Sequence, residues 1–177
     1  MANEDPIAFL FTWSTYGTWL PGDARGWVEY KHGFQLPDPV RELEARARMT
    51  SEVVYLNAEQ REQLHQQVAE TCAHKGWTLL AVNCRSNHIR ALISASTTPK
   101  KMRAALKAWC SQRLNDLQKA RGITGEDATT VWWADRGSIR WLFDDNSVDC
   151  ATVYVRDEQD NSQRFRNAEP RKGSPSR

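Results

Sequence analysis

A chain of 177 residues with 40% hydrophobic and 26% charged side chains has enough apolar material for one buried core, so a single domain over 1–160 and a basic, disordered tail over 161–177 are expected. A formal net charge of +2 argues against a uniformly charged chain, but basic residues gather locally, in Lys100, Lys101, Arg103, Lys107, Arg113, Lys119 and Arg121 against only Asp116, and again in the tail. No apolar run reaches bilayer-spanning length and no basic-then-apolar leader pattern is present. Cys72, Cys84, Cys110 and Cys150 form no Cys-x-x-Cys pair, which argues against zinc ribbons and redox dithiols and for free thiols in a reducing cytoplasm, away from membranes.

In chain order, Ile7 to Trp13 (IAFLFTW) reads as a buried strand. STYGTWLPGDARGW follows, and its Gly17, Pro21-Gly22 and Gly26 call for turns, so residues 14–50 read as an irregular, aromatic-rich arm. Within it, Arg41 to Met49 has the composition of a short helix outside the core. Asn57 and Gln60 have the spacing of a capping box for a helix from Ala58 to about Lys75, with Leu64, Val68 and Cys72 on one stripe and Gly76 as its stop.

Trp77 to Asn83 and His88 to Ala95 read as two strands of a hairpin. Thr98-Pro99 opens a basic helix whose apolar stripe is Met102, Leu106, Trp109, Cys110, Leu114 and Leu117. Thr129 to Trp133 and Ser138 to Phe143 read as a last pair of strands, and Ser147 as the cap of a final helix to about Asp160. Strand, helix, strand, strand, helix, strand is the split βαβ order of an α+β, ferredoxin-like domain. An antiparallel sheet with helices on one face is expected, joined by the C-terminal helix.

His88 and Arg90, separated by Ile89, leave the same face of their strand. A His-apolar-His triplet there would offer two ligands for one metal, but the second residue is an arginine, which cannot ligate. His32, His65 and His74 supply no partner at metal-ligand spacing. Read alone, His88 is a structural histidine more often than a ligand. Tyr154 lies in CATVYVRDEQD on the last helix. Glu158, four residues on, shares its face, and Gln159 points further round. A helical tyrosine ordinarily packs its ring; beside oxygen ligands it gains a nucleophile's surroundings.

Taken together, TYGTWLPGDARG, NCRSNH, AWCSQRL, WWADRGSIRWLF and VYVRDEQD occur in an order that resembles the single-tyrosine HUH transposases, the insertion-sequence-200 type and their REP-associated relatives. The resemblance spans most of Ile7 to Asp160. It implies binding of single-stranded DNA, folded as a hairpin, by a homodimer. It also implies cleavage in which Tyr154 forms a 5′-phosphotyrosine and leaves a free 3′-hydroxyl. Mg²⁺ or Mn²⁺ would be held by His88 and by Glu158 or Gln159, and the expected DNA contacts are Arg85, Lys100, Arg103, Lys107, Arg113 and Arg136.

Arg90 stands where the resemblance implies a second histidine. Three readings follow: cleavage is lost or strongly reduced, a weaker ion survives on the remaining ligands, or Arg90 itself neutralises the phosphate. A catalytically silent DNA-binding module is the competing function, and an RNA-binding domain is the third, since the same order of elements suits single-stranded RNA. The arm carrying Trp19 and Trp27 could serve as a lid over the core or as a stacking surface for bases.

Overall fold

The computed structural model describes residues 5–157. Its elements are β1 (Ala8–Ser14), β2 (Trp27–Glu29), β3 (Gly33–Gln35), α1 (Pro39–Ala47), α2 (Ala58–Lys75), β4 (Thr78–Cys84), β5 (His88–Ser94), α3 (Pro99–Ala120), a 3-10 turn (Gly125–Asp127), β6 (Ser138–Leu142) and α4 (Asp145–Asp157). The main sheet has the order β4-β5-β1-β6, and every neighbouring pair is antiparallel. This is the ferredoxin-like α+β arrangement expected from the order of elements.

The apolar run of β1 is continuous because the strand is central and covered on both faces. Phe9, Phe11 and Trp13 point to one side and join Ile89, Ala91 and Ile93 of β5 under α2 and α3. The helices supply Leu64, Val68 and Cys72 from α2, and Met102, Leu106, Cys110 and Leu114 from α3. Ala8, Leu10 and Leu92 point to the opposite face, where Ala151 and Val155 of α4 cover them. The C-terminal helix therefore lies across the sheet from the two core helices.

Local chemistry explains the boundaries of α2. Asn57 accepts from Gln60 N while the Gln60 side chain accepts from Asn57 N, so the capping box is complete. At the other end Gly76 adopts φ 70°, and Trp77 N donates to Cys72 O, closing the helix with a left-handed turn. Cys110 is fully buried with Cys72 and Cys84 nearby, and burial pushes the Cys72 and Cys84 thiols up to about 11 and about 12. Cys150 is exposed, and all four cysteines are free thiols.

Four expectations need correction. Thr129 to Trp133 is not a strand: Thr129 exchanges hydrogen bonds with the Gln118 side chain, and Trp132 and Trp133 donate their indole N–H groups to Asn115 and Ser111. Side chains of α3 thus hold this segment where a sheet ladder was expected, leaving a lone bridge between Thr15 and Trp133. The cap of α4 is Asp144, whose carboxylate accepts from Ser147 N at 2.8 Å and Ser147 Oγ at 2.7 Å; Ser147 sits inside the first turn. Trp109 leaves the α3 core stripe for the surface, 40% exposed beside His74, and Leu117 is half-buried. The arm over 14–50 is also less irregular than expected, since the β2–β3 hairpin joins the short helix expected near its end, which forms as α1. Gly22 makes that arm compact, because a Cβ there would meet Asp38 O at 2.2 Å. The tail expected over 161–177 lies outside the described residues.

Candidate functional site

Strand register decides which side chains share the face beneath α4. Arg90 pairs with Thr12, which pairs on its other side with Ser138; one step along, Leu92, Leu10 and Arg140 form the next row. His88, two residues before Arg90, pairs with Ser14 and lies on that face as well. The helix above is docked by Ala151 and Val155 and by polar ties to β4. Asn83 Nδ2 donates to Val155 O at 3.0 Å, and Arg156 Nη2 to Leu80 O at 3.2 Å. These contacts fix the rotation of α4, so that half-buried Tyr154 faces β5.

The result is a direct contact: the Arg90 guanidinium lies over the Tyr154 ring, 4.4 Å from its centroid. Such a cation–π contact contributes about 0.5–2 kcal/mol, more as water is excluded. Both residues line an open groove of about 990 Å³ together with Thr12, Trp19, Arg140 and Cys150. Burial lowers the Arg90 pKa; Tyr154 opposes that shift, and the nearby positive charge of Arg85 adds to it. Arginine remains charged through such shifts. Among the described residues no carboxylate lies within ion-pair distance of Arg90.

His88 is held by its neighbour, its Nδ1 lying 2.7 Å from Asn87 Oδ1. With that oxygen accepting, Nδ1 carries the ring proton. The loop beneath it is buttressed by Thr15 N and Leu56 N, which donate to Asn87 O and Ser86 O. His65 is structural, since its Nε2 accepts from Cys84 N at 2.9 Å and burial lowers its pKa.

Glu158 and Gln159 lie outside the described residues. Of the other positions the resemblance assigns to an ion, His88 offers one imidazole and Arg90 a cation that repels metal. Among the described residues no group of three or more His, Cys, Asp or Glu could hold a metal. The described residues do not fit a divalent ion.

The basic residues expected at DNA are mostly occupied by the protein itself. Arg113 spans α3 to α2, donating to Gln67 Oε1 at 2.8 Å and Gln63 Oε1 at 3.1 Å and pairing with Glu70. Lys107 donates to Ala134 O and Arg136 O, and Arg103 to Gly137 O, which clamps the loop before β6. Arg136 adopts φ 62° and lies over the Tyr30 ring at 3.9 Å, joining that loop to the arm. Lys100 is exposed and Arg85 half-buried. Arg140 and Trp19, by contrast, enter the groove. Strand alternation places Arg140 opposite Ile139, but its proximity to Tyr154 depends on the β1–β6 register. Trp19 is set by the arm's own contacts: its Nε1 donates to Gly26 O at 2.8 Å, and Arg25, paired with Asp23, lies over its ring at 5.3 Å.

A family model described as "Transposase IS200 like" matches residues 47–157, more than half of the chain. The chain is also similar to two solved structures. One is a REP-associated tyrosine transposase bound to a REP hairpin, at 9% identity and a TM-score of 0.47, with 88% of this chain and 68% of that one covered. The other is a candidate transposase from Deinococcus radiodurans R1, at 12% identity and a TM-score of 0.48, covering 85% and 88%. No curated protein matches the chain.

Proposed function

The chain belongs to the IS200-like transposase family, and we propose that it binds single-stranded DNA folded as a hairpin and cleaves and rejoins it through Tyr154. The observation that carries this reading is the Tyr154–Arg90 contact at the groove, where a phenol sits against a fixed cation with a second guanidinium, Arg140, on the same sheet face. A phosphodiester is drawn to such a place by charge, and the phenol is the nucleophile beside it.

In the proposed reaction Tyr154 Oη attacks the phosphorus of a backbone diester. The new O–P bond forms as the bond from phosphorus to the 3′-oxygen breaks. The phenolic proton passes to water and the departing 3′-oxygen takes one up, leaving a 5′-phosphotyrosine and a free 3′-hydroxyl. One diester is exchanged for another, so a 3′-hydroxyl can reverse the step without nucleotide hydrolysis. The sheet and α4 contribute positioning: Asn83 and Val155 hold the helix turn that carries Tyr154.

A DNA hairpin labelled at its 3′ end tests this, because the fragment retained on the protein is the 3′ one. A labelled band that persists under denaturing conditions and disappears in Tyr154→Phe is the expected result. Binding without any adduct would instead support a silent DNA-binding module, a reading favoured by Arg90 standing where the resemblance implies a metal-ligating histidine.

A further inference from the structure

We propose that Arg90 and Arg140 form a metal-independent binding site for the backbone phosphate presented to Tyr154. The inference deepens the function proposed above and rests on its DNA-binding part.

Geometry argues first. Arg90 on β5 and Arg140 on β6 flank β1 on the same face, in adjacent rows of the sheet. Strand spacing and rise put their Cα atoms about 12 Å apart, so two long side chains can approach one anion from opposite sides. Both line the groove that contains Tyr154.

Charge argues second. A half-buried cation is costly without a counter-charge, and the described residues place no carboxylate within ion-pair distance of Arg90. The Tyr154 ring face compensates only part of that cost. A phosphate supplies the remainder, because guanidinium N–H groups pair with two phosphate oxygens at once while the plane of the group stays stacked on an aromatic ring. Arg85 adds to the positive field at this point, which raises the gain from an anion.

Chemistry argues third. Charge builds on the non-bridging oxygens as Tyr154 attacks, and a cation already fixed beside the phenol stabilises it without reorganisation. Arg90 thus fills an electrostatic role with a side chain that cannot itself ligate an ion.

The test is fluorescence anisotropy with a labelled oligonucleotide carrying a hairpin flanked by random single strand, titrated over a range of salt in Mg²⁺ and in EDTA. Equal affinity in the two buffers is expected. Arg90→Ala should bind about tenfold more weakly, roughly 1.4 kcal/mol, and flatten the log Kd against log salt slope by about 0.7, one phosphate contact on a single strand. Arg140→Ala should flatten it similarly. Arg90→Lys should restore the slope but only part of the affinity. Should Arg90→Ala lose its cooperative unfolding transition, Arg90→Gln carries the same reading with the stem retained.

Binding that requires Mg²⁺, or an unchanged slope in a folded Arg90 variant, overturns the inference alone. Failure of the unmodified protein to bind overturns it together with the DNA-binding reading. Loss of the covalent adduct in Tyr154→Phe bears on the cleavage reading and leaves the phosphate site standing.

Discussion

Replacing Arg113 with methionine separates a structural cation from a DNA contact. Arg113 Nε donates to Gln67 Oε1, and Gln67 is 6% exposed; its amide in turn donates to Thr71 Oγ1 at 3.0 Å. Methionine keeps most of the packing of the stem and removes the donors. The Gln67 oxygen is then left buried without this donor, a cost of about 1–3 kcal/mol. The Gln63 and Glu70 contacts lie nearer solvent and add roughly 0.5 kcal/mol together, since Glu70 is 58% exposed. The sum, about 1.5–3.5 kcal/mol, corresponds to a Tm fall of roughly 3–14 °C for a domain of this size. Urea and thermal unfolding measure the loss, and the salt slope of oligonucleotide binding should stay unchanged. Adding Gln67→Met should recover much of the stability, because removing both partners leaves no orphaned oxygen. An unchanged Tm with a slope flattened by about 0.7 would refute this assignment and return Arg113 to the DNA surface.

Gly137→Ala should destabilise the fold by at least about 2 kcal/mol in urea denaturation, since φ is 114° and the new Cβ would meet Thr12 O at 2.5 Å. His65 accepts Cys84 N–H only as a neutral imidazole, and its folded pKa lies below the usual 6.5. Its contribution is therefore fully present above about pH 6.5 and is lost as pH falls through the lower folded value. Denaturation midpoints measured between pH 5 and pH 8 should show that loss, and His65→Gln should reduce it. Among the cysteines, exposed Cys150 should react quickly with a thiol reagent while Cys72, Cys84 and Cys110, buried with raised pKa values, react slowly. A bound hairpin should protect Cys150, which lines the groove, and equal reaction rates with and without DNA would place the nucleic acid elsewhere.

Local signals carried much of the fold. The Asn57–Gln60 box and Gly76 stop are short-range chemistry, and the structure realises both. The apolar run of β1 already read as a buried strand, and the element order implied the sheet. Thr129 to Trp133 misled because a β-rich composition also suits a segment held by distant side chains, here Gln118, Asn115 and Ser111. The internal contacts of Arg103, Lys107 and Arg113 were illegible for the same reason: their partners lie 27 to 50 residues away. In the candidate site, alternation along β5 placed His88 and Arg90 on one face. The Arg90–Tyr154 contact required more: α4 had to cross the sheet on the side opposite α2 and α3, which no local pattern states.

Peptide mapping by mass spectrometry, after nuclease digestion of the covalent complex, tests the role of Tyr154 most directly. A nucleotide-phosphate adduct on the peptide containing Tyr154 is the expected result. Attachment instead at Tyr16, Tyr30 or Tyr55, or an adduct that survives Tyr154→Phe, would contradict it.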